Sequence, residues 1–194
     1  VLGGTVLTDG PDSFRILCED FPEVTAEYYA TRAELQRRLA ELKPEAIIQP
    51  DYSKSYLNVN FETAHIQVFH GTSDKTYGYS GKIREYDLLL LPGQRAYRTM
   101  KAAALLTESN YAIVGYPKAD RVFKGEFNRE ETLKRLGLDP ALPTVLYAPT
   151  WQDSKFNTSL PKYGREVLSG VPEGYNLIVK LHPNTKRYDR RNYR

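Results

Sequence analysis

Six short apolar runs, each closed by a residue that turns the chain, restrict the fold more than any other feature of these 194 residues. They are Ala46-Ile47-Ile48-Gln49-Pro50, Ile66-Gln67-Val68-Phe69-His70, Leu88-Leu89-Leu90-Leu91-Pro92-Gly93, Tyr111-Ala112-Ile113-Val114-Gly115-Tyr116-Pro117, Thr144-Val145-Leu146-Tyr147-Ala148-Pro149, and Tyr175-Asn176-Leu177-Ile178-Val179-Lys180. Runs this short and this continuous read as strands of a parallel sheet, and the four leucines 88–91 predict a strand covered on both faces. Helical patterns alternate with them. Leu35, Leu39 and Leu42 recur at helical spacing over 31–42, an alanine-rich helix is expected over 96–106, and a short one around 162–169. Over 128–136 the acids come first and Lys134-Arg135 last, matching the helix dipole, with Gly137 as terminator. Strands alternating with helices imply βαβ units and an α/β fold.

Asp139-Pro140 and Pro143 interrupt the pattern, so the reading divides the chain into an N-terminal domain, 1–139, and the start of a C-terminal domain, 140–194. Two strands and about one helix make a small core for the second domain. The start lacks Met and the charged and apolar regions of a signal peptide. Both features lead to the expectation of a segment from a longer chain.

Composition removes several classes. Apolar residues at 41% and charged residues at 26% are ordinary for a globular chain, and no stretch approaches the roughly 20 apolar residues needed to cross a bilayer. Cys18 is the only cysteine, which excludes an internal disulfide and fits a reducing compartment. The net charge of +3 is scattered and no nucleic-acid-binding motif occurs, so no nucleic-acid partner is expected. Part of the basic excess lies in 186–194, either a solvated terminus or a contact for anionic lipid or polymer.

Chemistry concentrates at the strand ends, where open α/β folds collect ligands. His70-Gly71-Thr72-Ser73-Asp74-Lys75 combines an imidazole, a glycine that permits close backbone approach, two hydroxyls and a cation. Phosphate transfer needs such parts, although His70 could equally hydrogen-bond a neighbouring strand. Lys180 and His182 fall two apart, on one face if the strand continues, with a solvated turn as the alternative. Pro149, Thr150 and Trp151 follow another strand, and Trp151 would serve either as a stacking surface for a base or as a core anchor. Gly115-Tyr116-Pro117-Lys118-Ala119-Asp120 adds Lys118 and Asp120 in a tight turn. His65, earlier on its strand, reads as structural. The sequence has no Walker loop, no dinucleotide fingerprint, no nucleophile elbow, no zinc helix and no D-x-D pair. Neutralising a diphosphate would fall to Lys, His and backbone donors, so neither metal nor cofactor is expected.

Taken in order, Gln67-Val68-Phe69-His70-Gly71-Thr72, Tyr86-Asp87 with Leu91-Pro92, Gly115 to Asp120, Leu146-Tyr147-Ala148-Pro149-Thr150-Trp151 and Leu181-His182-Pro183 resemble the CDP-glycerol glycerophosphotransferase family. These are the teichoic acid primases and polymerases of bacterial cell walls and related capsule enzymes. The resemblance covers roughly 49–184. The family typically reads His-Gly-Thr-Pro-Leu-Lys where this chain has Ser73 and Asp74 before Lys75, and Gly-Tyr-Pro-Arg-Asn-Asp where it has Lys118 and Ala119.

The resemblance implies a GT-B-like fold of two Rossmann-like lobes with parallel sheets, the nucleotide gripped mainly by a C-terminal lobe of which this chain holds only a part. It implies His70 as general base on an acceptor hydroxyl and His182 as the group that binds or stabilises the donor diphosphate. Gly71, Thr72, Ser73, Lys75, Lys118, Asp120, Pro149, Thr150, Trp151 and Lys180 would bind substrate. The donor would be CDP-glycerol or a related CDP-alcohol, and the acceptor a lipid-linked glycerophosphate polymer. Such an enzyme would work in the cytoplasm, in peripheral contact with the inner face of the membrane. Two other functions fit the same layout: a GT-B glycosyltransferase or nucleotide-sugar epimerase, and a non-catalytic nucleotide-binding fragment.

Overall fold

Every strand pair in the computed structural model is parallel, as the apolar runs predict. The structure describes residues 3–71, 79–152 and 158–188. They form two compact units that divide between Asp120 and Arg121.

The first unit opens with a βαβ element that has no counterpart among the apolar runs: β1 (Thr5–Thr8), α1 (Pro11–Asp20) and β2 (Thr25–Tyr28). Helix α2 (Arg32–Leu42) follows, started by a capping box in which Thr31 accepts from the Glu34 N–H and Glu34 accepts from the Thr31 N–H. Arg38 ties α2 to β2 through a two-pronged contact with Glu27, at 2.6 and 2.7 Å.

The main sheet is laid down in chain order: β3 (Ala46–Gln49), β4 (Ala64–Val68), β5 (Leu88–Leu91) and β6 (Tyr111–Ile113). Asp87 fixes the β4–β5 register, its carboxylate accepting the His65 N–H at 2.7 Å while its own N–H donates to the His65 carbonyl at 2.9 Å. Helix α3 (Gln94–Ala102) packs back on β5. It ends earlier than the alanine run suggests, because Ala104 takes a left-handed φ of 52° and turns Leu105 into the core.

Among the described residues, the cluster around β5 is made of Ile83, Tyr86, Leu89, Leu91, Met100 and Leu105. Each such aliphatic side chain contributes roughly 1.5–3 kcal/mol by leaving water. The leucine run predicts cover on both faces of β5, and the two faces are covered unequally. Leu89 and Leu91 are fully buried, while Leu88 and Leu90 are half-buried. Leu88 shares its row with Ile66 and Ile48, and Ile48 is 57% exposed. The cover supplied by α3 and the 81–85 turn therefore lies on one side.

The second unit takes in most of the short α4 (Asp120–Phe123) and then α5 (Arg129–Arg135), capped by Asn128 and closed at Gly137, whose φ of +71° suits glycine. Arg129 donates to the carbonyls of Pro140 and Leu142, tying α5 to the loop that enters β7 (Thr144–Tyr147). Helix α6 (Leu160–Ser169) leads to β8 (Asn176–Val179), parallel to β7, and α7 (Pro183–Tyr188) follows. Buried Asn176 closes the lower end of this sheet, donating to Asp139 O at 2.6 Å and Thr144 Oγ1 at 3.2 Å.

Candidate functional site

In the first unit the carboxyl ends of β3, β4 and β6 converge on His70. Strand β4 stops at Val68, so His70 lies beyond the strand and is exposed. Its Nδ1 lies 2.7 Å from the carbonyl oxygen of Pro50, the residue after β3. A carbonyl only accepts, so Nδ1 carries the proton, and in the neutral ring the basic lone pair is on Nε2. From the β6 side the Tyr116 hydroxyl donates to the His70 carbonyl at 2.7 Å. Gly115, with φ +84°, makes the turn that presents Tyr116.

The loop carrying Pro50 is itself fastened. The Tyr86 hydroxyl, on a residue 3% exposed, donates to Asp51 O at 2.9 Å and accepts the Lys54 N–H at 3.2 Å. Gln49 donates to Ser53 Oγ at 2.8 Å, and the Lys54 ammonium donates to the Glu85 carbonyl. His65 plays a different part: 5% exposed, it donates from Nδ1 to Gln49 Oε1 at 3.2 Å. Burial, assisted by the charge of Lys54, holds its pKa below the ordinary histidine value.

Lys118 and Asp120 stand exposed just past Tyr116, on the same sheet edge. Gly71 follows His70, with open space where a Cβ would stand. Thr72, Ser73 and Lys75 lie outside the described residues.

The second unit repeats the arrangement with the opposite polarity. Strand β8 closes at Val179 and the Lys180 N–H adds one more rung by donating to Tyr147 O at 3.0 Å, so strand alternation does not reach His182. His182 sits instead in the turn before α7. Its Nδ1 accepts the backbone N–H of Asn184 at 3.1 Å, and its carbonyl accepts the Thr185 N–H at 2.9 Å. An accepting Nδ1 has no proton, so this ring is neutral with its proton on Nε2. Trp151 lies beside it, ring centroids 6.3 Å apart, in the loop that follows β7. Trp151 is half-buried, Pro149 is buried, and the Thr150 carbonyl accepts from Thr158 Oγ1 at 2.5 Å; Lys180 is exposed. The structure thus gathers Pro149, Thr150, Trp151, Lys180 and His182 at one sheet edge, and His70, Gly71, Lys118 and Asp120 at the other unit's edge.

Sequence reasoning missed the groups that hold these rings: the Pro50 carbonyl, Tyr116, Tyr86 and the Asn184 N–H. Two are main-chain atoms, which carry no residue signature. Tyr116 could have been found inside the Gly115–Asp120 motif.

Two α/β units with parallel sheets, each offering a histidine beyond the carboxyl ends of its strands, define a GT-B-like fold. The same fold occurs in the structure of the wall teichoic acid polymerase TagF, with a TM-score of 0.59 at 17% identity over 96% of this chain and 55% of that one. A TagF variant soaked with CDPG gives 0.63 at 18% identity over 92% and 48%. Residues 25–194 match the family described as CDP-glycerol:poly(glycerophosphate) glycerophosphotransferase, and the chain belongs to that family. A teichoic acid poly(glycerol phosphate) polymerase of Staphylococcus epidermidis is 25% identical over 188 residues, which cover 81% of this chain and 24% of that protein. One from Bacillus spizizenii is 27% identical over 172 residues, covering 81% and 42%. The chain therefore spans less than half the length of either relative.

Proposed function

We propose that this chain serves a glycerophosphotransferase that moves glycerol phosphate, or a related polyol phosphate, from CDP-glycerol or a similar CDP-alcohol to an acceptor hydroxyl, in the synthesis of teichoic acid or a capsule polymer. The observation that carries the reading is the opposed hydrogen bonding of two histidines. The tautomer of His70 puts the lone pair on Nε2, which a base needs; that of His182 puts the N–H on Nε2, which a developing anion needs.

In this reading His70 Nε2 takes the proton of the acceptor hydroxyl as its oxygen bonds to the glycerol-bearing phosphorus. The bond from that phosphorus to the bridging oxygen breaks, and CMP leaves with the electron pair. His182 Nε2–H and the Lys180 ammonium stabilise the charge that builds on the leaving phosphate. Trp151 and Thr150, with Pro149 shaping the turn, meet the nucleoside; Gly71, Thr72, Ser73, Lys75, Lys118 and Asp120 hold phosphate and acceptor. The N-terminal part, 1–139, would then serve the acceptor and the part from 140 onward the donor. A lipid-linked glycerophosphate polymer as acceptor would place the enzyme in the cytoplasm against the inner face of the membrane. Among the described residues no helix is long and apolar enough to cross it.

The test is CMP release from CDP-glycerol with a lipid-linked acceptor, in the full protein. His70→Ala should lower turnover by about 10²–10⁴-fold, the usual contribution of a positioned base. Unchanged turnover would remove His70 from the chemistry. UDP-sugar turnover with no response to CDP-alcohols would replace this reading with the glycosyltransferase or epimerase one. Binding of CDP without any turnover would leave a nucleotide-binding module.

A further inference from the structure

Tyr116 belongs to none of the groups assigned so far to substrate or chemistry. Its hydroxyl nevertheless reaches from the end of β6, past the end of β5, to the main-chain carbonyl of His70 at the end of β4, at 2.7 Å. That contact falls where the sheet has ceased to hold the chain, since β4 closes two residues earlier. Among the described residues, His70 is thus gripped from two sides: the ring by the Pro50 carbonyl beside β3, the backbone by Tyr116 beside β6. The grip on the ring requires the backbone to stay in place, because a shift of a few tenths of an ångström lengthens a 2.7 Å hydrogen bond toward a weak one. The presentation of Tyr116 is also built in, through the left-handed Gly115 before it and Pro117 after it.

We propose that Tyr116 is a positioning residue for His70. Its hydroxyl fixes the His70 main chain so that Nδ1–H remains on the Pro50 carbonyl and the lone pair remains on Nε2. This inference rests on the reading of His70 as the general base.

The experiment reads the ring directly. The chain has three histidines, so a long-range ¹H–¹⁵N spectrum of the imidazoles can be assigned with His65→Gln, His70→Gln and His182→Gln. In the wild-type protein above the titration range, His70 should show a protonated Nδ1 and an unprotonated Nε2. In Tyr116→Phe, which keeps the ring and removes the hydroxyl, the two nitrogens should move toward the Nε2–H form that a free imidazole prefers. In the full protein kcat should fall about tenfold, the upper range for one lost hydrogen bond, with KM for CDP-glycerol little changed. Should Tyr116→Phe fold poorly, Gly115→Ala displaces Tyr116 through the strain of a Cβ at φ +84° and should give the same change in the ring. A His70 ring that keeps Nδ1–H in both variants overturns the positioning role while leaving the base assignment standing. A wild-type ring that already carries its proton on Nε2 overturns the base assignment itself.

Discussion

Two histidines made of the same atoms hold opposite tautomers, each set by a main-chain group. The Pro50 carbonyl leaves His70 with a basic Nε2, and the Asn184 amide leaves His182 with an Nε2 that donates. Replacement by glutamine should therefore separate them. A glutamine amide can donate but is no base, so His182→Gln should retain about tenfold more CDP affinity than His182→Ala by calorimetry, the scale of a hydrogen bond to a charged group. His70→Gln should be as inactive as His70→Ala. His65 supplies a pH dependence of stability. Its folded pKa lies below the unfolded 6.5, so the unfolded chain takes up a proton first as pH falls. Stability should be complete above pH 6.5, decline as pH drops through that value, and level off once the folded ring also titrates. Urea midpoints at several pH values check this, and His65→Gln should flatten the curve. The sequence marked both catalytic candidates because an imidazole next to Gly or Pro at a strand end is visible in the residue order. Their roles came only from the family resemblance and not from the residue order, because the groups that set their tautomers come from the backbone 20 residues before His70 and two after His182.

Elements with a strong local signal were legible, and those without one were not. The α2 helix is readable from its leucine spacing, and the capping box at Thr31 and Glu34 gives it a defined start. Thr31→Ala should cost about 1 kcal/mol, measurable as a lower urea midpoint for the first unit. The opening β1–α1–β2 element was missed for a physical reason: no residue of α1 is buried, and both strands are four residues long and start on a threonine. Strand alternation failed at His182 because β8 ends three residues before it and a helix turn sets its direction instead. The Leu88–Leu91 run signals burial but not how evenly it is shared, since a hydrophobic run records propensity and not which helices lie above each face.

For the molecule as a whole, the α/β class follows from six runs and the helices between them, and the family follows from motifs carried in order along the chain. Among the described residues the buried cluster around β5 is small, six side chains, so each matters. Leu89→Ala should destabilise that unit by about 2–5 kcal/mol, read as lost hydrogen-exchange protection in β4 and β5. The strand order β3-β4-β5-β6 has one more consequence. Each strand docks beside the one made just before it, so the growing polypeptide never has to hold a slot open for a segment still to emerge from the ribosome. The sheet can be assembled in the direction of synthesis, one edge at a time, with its newest border as the only template awaiting the next strand.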